Sequence, residues 1–206
     1  MIFIDSWNLP IYNALMKYKD LNPVPFHMPG HKLGKGIPAL FLKDLAFMDV
    51  TEIPGTDNLH SPCGVIKEAQ ELAADAFGAD ETFFLVNGSS CGIQAAIAAL
   101  CNAGDKLVIG RDCHKSVING IIAAGAIPVY IKPGYVSEFE IPGTINPEDV
   151  ERTLKVHSDA KAVLITRPNY YGICSDIREI VRIVHSYDKA LIVDEAHGAH
   201  LVFNKK

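Results

Sequence analysis

Apolar residues in this chain fall into two kinds of run, and the two kinds alternate. Short blocks of bulky or β-branched residues at 82–86, 106–109, 128–131, 162–165 and 190–193 read as strands buried on both faces. Between them, apolar residues recur at three- and four-residue spacing, which lines one face of a helix. Ile93, Ile97 and Leu100 mark such a face after Asn87-Gly88-Ser89-Ser90, and Asn102-Ala103-Gly104 stops it. Asn146-Pro147 puts a cap residue before a first-turn proline, followed by Glu148, Asp149 and a Val150/Leu154 face. Asp176 with Glu179 makes a capping-box start for a helix burying Ile177, Ile180, Val181 and Val184. Ser61-Pro62 is expected to open a helix with Val65, Ala69, Leu72, Ala73 and Ala76 on its inner face and Gly78 at its end. Each strand is separated from the next by enough chain for a crossover helix. The pattern therefore predicts an α/β fold, a three-layer α/β/α sandwich around a mostly parallel sheet.

Residues 1–60 lack this alternation and read as a separate amino-terminal segment. A short helix is expected over residues 10–18. After it comes Asn22-Pro23-Val24-Pro25-Phe26-His27-Met28-Pro29-Gly30-His31-Lys32, irregular and rich in Pro, Gly and His. A long aperiodic loop of this kind usually carries function or is disordered.

Composition narrows the class. The chain has 206 residues, of which 49% are hydrophobic and 21% charged, enough apolar material for a sizeable core. Its 19 Lys+Arg against 24 Asp+Glu give a net charge of −5, without a basic block, which argues against nucleic acid or an anionic membrane as partner. No run approaches the roughly 20 apolar residues that span a bilayer, and the first residues carry no basic leader. Five cysteines, an odd number without a Cys-x-x-Cys pair, suit reduced thiols and a cytoplasmic location.

In a parallel sheet, ligands sit beyond the carboxyl ends of the strands. Three of the expected strands deliver polar segments there. Asn87-Gly88-Ser89-Ser90 offers a tight turn, hydroxyls and free N–H groups at a helix start, which suits either an ordinary cap or an anion such as phosphate. Arg111-Asp112-Cys113-His114-Lys115-Ser116 places a histidine at another helix start. Asp194-Glu195-Ala196-His197-Gly198-Ala199-His200 sets two acids and two histidines directly after a buried strand, which packing alone does not explain. Its first four residues also fit the acidic box of a nucleotide-driven helicase, but no Gly-x-x-x-x-Gly-Lys-[Ser/Thr] loop accompanies them. A metal site from His197, His200 and an acid lacks evident further ligands, so no metal is expected.

Taken in order, Phe26-His27-Met28-Pro29-Gly30-His31-Lys32, Asp49-Val50-Thr51-Glu52, Asp57-Asn58-Leu59-His60, Asn87-Gly88-Ser89-Ser90, His114-Lys115-Ser116 and the 194–200 segment resemble the amino-terminal part of the major domain of the ornithine/lysine/arginine decarboxylases. These are bacterial pyridoxal 5'-phosphate (PLP) enzymes of the aspartate-aminotransferase fold. The resemblance covers roughly residues 10–203. It implies that Gly88, Ser89 and Ser90 hold the cofactor phosphate, that His114 stacks on the pyridine ring, and that Asp194 pairs with the pyridine nitrogen. It implies further that Ala196 lies against the ring and that His197 sits near the phenolate oxygen or the substrate carboxylate. His114, Asp194 and His197 are thus the expected catalytic residues. Asn169 stands where many relatives have Thr, and the resemblance gives it no role.

The family's Schiff-base lysine lies in a Ser-x-His-Lys segment beyond the acidic motif, and Lys205 and Lys206 follow no such pattern. Residues 61–206 are accordingly expected to be a partial PLP-binding large domain. The function implied is decarboxylation of a basic amino acid by a homodimer or larger homo-oligomer. Another PLP enzyme of the same fold, such as an aminotransferase, or a non-catalytic chain that pairs with a full-length subunit, are the alternatives. The resemblance also places two further strands between residues 82–86 and 190–193. Without them, 82–86 is expected to lack a neighbour, while the other four strands pair in the order 128–131, 106–109, 162–165, 190–193.

Overall fold

The computed structural model describes residues 52–203 continuously, with residues 16–17, 20–24, 35, 37–39 and 41 before them. Most of the expected helix at 10–18, the 26–32 motif except its surroundings, and residues 49–51 lie outside the described residues. The chain divides into two units, Met1–Ala69 and Gln70–Lys206.

In the first unit, the Asp57 carboxylate gathers main-chain donors. Its Oδ1 accepts the N–H groups of Asn58 (2.8 Å) and Cys63 (3.1 Å), and its Oδ2 those of Gly64 (2.8 Å) and Ile66 (3.0 Å). These bonds, that from Cys63 foremost, hold its carboxyl well below the usual range. They also fix where helix α1 (Val65–Phe77) begins. The start therefore falls after the expected Ser61-Pro62, because the N–H groups of Cys63, Gly64 and Ile66 are spent on Asp57 and not on a serine cap. The buried side of α1 differs as well. Gln70 and Ala74 are buried, while Val65 and Leu72, expected inside, face out, Leu72 at 65% exposure.

The remaining elements are helix α2 (Gly88–Leu100), strand β1 (Lys106–Gly110), helix α3 (Lys115–Ala124), strand β2 (Ile127–Ile131), the short strands β3 (Tyr135–Val136) and β4 (Ile141–Pro142), helix α4 (Pro147–Val156), strand β5 (Ala162–Thr166), helix α5 (Ile177–Ser186) and strand β6 (Ala190–Asp194). A single 3₁₀ turn follows at Leu201–Phe203, where Phe203 meets Phe77 edge-on at 5.0 Å.

Four strands form one parallel sheet in the order β2-β1-β5-β6, the expected order. Alternate residues feed opposite faces. Val108, Val163 and Ile165 pack with Val150, Leu154, Ile180 and Val184 of α4 and α5. Leu107, Ile109 and Leu164 pack with Ile93, Ile97, Val117 and Ile121 of α2 and α3. Helices thus cover both faces, which is why β1 and β5 read as unbroken apolar runs. The α2–α3 contact depends on Gly120, where a Cβ would lie 2.8 Å from Ile97 Cδ1 and 3.4 Å from the Gln94 backbone. Asp176 caps α5 as expected, accepting the Glu179 N–H at 3.2 Å. The antiparallel β3–β4 ribbon is too short to leave a periodic signal in the sequence.

Residues 82–86 depart from the expected strand, but they lack a neighbour in the sheet, as expected. They form no strand, and Phe83 is 69% exposed. A strand exists through its ladder, and neither sheet edge, β2 or β6, pairs with this segment.

Candidate functional site

A cavity of about 480 Å³ opens where β1, β5 and β6 end. All of Gly88, Ser89, Ser90, His114, Asp194, Ala196 and His197 line it. Residues spread from 87 to 197 along the chain meet there because three parallel strands point the same way. His200 does not line it, and among the described residues no group of His, Cys, Asp or Glu is placed to hold a metal ion.

The first wall is the start of α2. Asn87 (φ 65°, ψ 22°) and Gly88 (φ 66°) turn the chain into the helix through two left-handed residues. The Asn87 side chain makes no capping bond, so the first-turn donors at Gly88, Ser89 and Ser90 carry no side-chain cap from it. An uncapped helix start of this kind attracts anions.

The second wall follows β1. His114 is the N-cap of α3, its Nδ1 3.2 Å from Ser116 N and 2.9 Å from Ser116 Oγ. Burial pushes the Asp112 carboxyl up, and it pushes the Cys113 thiol up as well, with Asp112 adding to the effect.

The third wall joins the ends of β5 and β6, where Thr166 lies opposite Asp194 in the ladder. Asp194 is 6% exposed, and its Oδ1 accepts the Ala196 N–H at 3.1 Å. Arg167 N donates to Asp194 O (2.9 Å), and Arg167 Nη1 to Glu195 Oε1 (2.7 Å). Gly198 completes this seam, since a Cβ there would lie 2.8 Å from Arg167 O and 2.9 Å from Pro168 Cδ. Asn169, 4% exposed, uses its whole amide. Its Nδ2 donates to Pro142 O (3.0 Å) and Gly143 O (3.1 Å), while Oδ1 accepts from Tyr171 N and Ile173 N (both 3.0 Å). Asn169 therefore clamps the loop carrying Pro168 and Tyr170, both in the cavity wall, to the β3–β4 ribbon.

Two oxygens in the cavity-lining residues, Asp112 Oδ1 and Thr166 Oγ1, are buried without a hydrogen-bond partner. Buried polar atoms are normally satisfied, so these suit a polar ligand. Neither residue has a role in the expected site, although Asp112 stands in its 111–116 segment. Their positions, directly after β1 and at the last residue of β5, were the available signal. A volume of this size suits a small organic ligand.

Residues 9–206 match the family model described as Orn/Lys/Arg decarboxylase, major domain. Arginine decarboxylase of Bacillus subtilis (strain 168) is 43% identical over 199 residues, which cover 95% of this chain and 41% of that protein. Among solved structures, lysine decarboxylase A from Pseudomonas aeruginosa has a TM-score of 0.68 at 25% identity, over 95% of this chain and 29% of that one. N-Succinyldiaminopimelate aminotransferase from Mycobacterium tuberculosis, with a TM-score of 0.53 at 16% identity over 74% of this chain and 39% of that one, shares the fold. The chain spans less than half the length of the curated relatives it matches.

Proposed function

The chain belongs to the Orn/Lys/Arg decarboxylase family, and from that premise we propose that it is the cofactor-holding part of a PLP-dependent decarboxylase of a basic amino acid. Arginine is the substrate to test first, because the 43% identical relative is an arginine decarboxylase, with lysine and ornithine beside it. The observation that carries the reading is the convergence of Ser89, Ser90, His114, Asp194, Ala196 and His197 on one cavity. The proposal includes a homodimeric or larger assembly and a cytoplasmic location, both from the family likeness. Among the described residues no helix is long and apolar enough to cross a membrane.

PLP, when bound, supplies an electron sink for the pair left behind as the carboxylate departs. The chain's own residues would bind and orient it. The uncapped first turn of α2, with the Ser89 and Ser90 hydroxyls, suits the phosphate. The Asp194 carboxylate, held in place by the Ala196 N–H, would keep a proton on the pyridine nitrogen. The His114 ring and the small Ala196 side chain offer flat surfaces for the pyridine. Thr166 Oγ1 and Asp112 Oδ1 supply buried polar atoms still in need of partners.

The test is a PLP titration of the purified chain followed by cofactor absorbance. Saturable binding is expected, weakened about 10- to 100-fold by Asp194→Ala, the range for losing a charged hydrogen-bond partner. Addition of arginine, lysine and ornithine to the loaded chain, each read as a change in cofactor absorbance, then ranks the substrates. Absence of binding, or equal binding by Asp194→Ala, would overturn the reading.

A further inference from the structure

His114 caps α3 with an imidazole, in the place usually taken by a short oxygen-bearing side chain. The Ser116 N–H points at Nδ1 from 3.2 Å. A backbone N–H can only donate, so Nδ1 presents its lone pair and carries no hydrogen. The Ser116 hydroxyl, 2.9 Å away and free to turn its hydrogen, donates to the same atom. The ring proton therefore sits on Nε2.

Nothing else among the described residues holds this ring by a hydrogen bond. His114 itself is exposed at the cavity wall, whereas Ser116 is 3% exposed and its hydroxyl has no other partner among the described residues. Two donors from one buried residue thus set the plane and the tautomer of a side chain that packing leaves free. We propose that Ser116 is the positioning residue for His114, locking the ring in one orientation with its proton on Nε2 so that it forms a flat wall of the cavity. What the ring packs against rests on the proposed function. The tautomer and the orientation rest on the chain's own hydrogen bonds.

The experiment reads the tautomer without cofactor. Long-range ¹H–¹⁵N correlation spectra of the labelled chain should show His114 with an unprotonated Nδ1 and a protonated Nε2. Ser116→Ala, which keeps the main-chain donor and loses the hydroxyl, should admit a second population in which the ring turns away from the Ser116 N–H and carries its proton on Nδ1, with the backbone shifts of residues 115–124 still helical. Ser116→Thr, which keeps the hydroxyl, should restore the single tautomer. In the matching PLP titration, Ser116→Ala should bind about 2- to 10-fold more weakly, as loss of one neutral hydrogen bond predicts, and Ser116→Thr within about twofold of the parent. A parent chain with His114 protonated on Nδ1, or a Ser116→Ala chain with an unchanged His114 spectrum, overturns the assignment. Failure of the parent chain to bind PLP would count against the proposed function alone, because the tautomer is read in its absence.

Discussion

Ala190–Asp194 lies along β5 with every residue opposite a partner, from Ala162 to Thr166, whereas, among the described residues, 82–86 lie along no strand. Both are short and apolar, and both run into a segment that lines the cavity. In the first, ladder bonds satisfy the main chain on one side, and Leu191 to Val193 are half-buried. In the second, four consecutive large apolar side chains, Phe83 to Val86, are exposed. Apolar residues promise burial, but a strand also needs another chain segment at hydrogen-bonding distance. Where none of the described strands pairs with them, the apolar residues form an exposed patch of the sort that promotes association.

The largest contrast is expected between the two kinds of apolar site. Leu164→Ala removes a fully buried side chain between β5 and α2–α3 and should lower stability in urea by about 2–5 kcal/mol. Phe83→Ala should stay within about 0.5 kcal/mol of the parent. Comparable losses at both positions would mean that residues 82–86 are packed after all.

Asn169→Ala comes next, at about 1–3 kcal/mol, because it leaves two carbonyls and two N–H groups of the loop without their partner. Faster amide exchange at Tyr171 and Ile173 would locate the loss in the clamp. Slow exchange there would show the loop to be held by other means.

A smaller effect is expected from Leu85→Lys, which charges the exposed patch. The unfolding midpoint should hardly move, while light scattering at high concentration should fall. Unchanged scattering would remove the patch as a cause of association.

The smallest is a pH effect at Asp57, which satisfies main-chain donors by a carboxylate where no ladder serves them. Its folded carboxyl titrates below the unfolded one, held there foremost by the Cys63 N–H. The stabilisation is therefore fully present above the unfolded value of about 3.9, and it is lost only as pH falls through the lower folded value. Amide protection at Gly64 and Ile66 should be flat from neutral pH down to about 4 and decline below that. In Asp57→Asn the same amides should be less protected at every pH. Protection that already declines between pH 7 and 5 would refute the role.

Much of the large unit was legible in the order of residues. Strands Lys106–Gly110, Ala162–Thr166 and Ala190–Asp194 are apolar on both faces, so their pattern alone demands helices above and below. The Asp176 cap and the Asn146-Pro147 start are local chemistry, readable within one turn. The cavity-facing motifs were found because polar residues directly after buried strands are anomalous as packing. Asn169 was left without a role, since its four partners lie in two loops whose proximity no local pattern announces.

Legible in the order of residues were which segments are apolar, where α4 and α5 start, and that strands and helices alternate, because these depend on residues within a few positions of one another. That residues 82–86 form no strand, that α1 turns Leu72 outward, that Gly198 lets the ends of β5 and β6 close on each other, and that Ser116 grips the His114 ring came from the folded arrangement alone. Each of those depends on which distant segment arrives alongside, and hydrogen bonds and close packing form only with what is there.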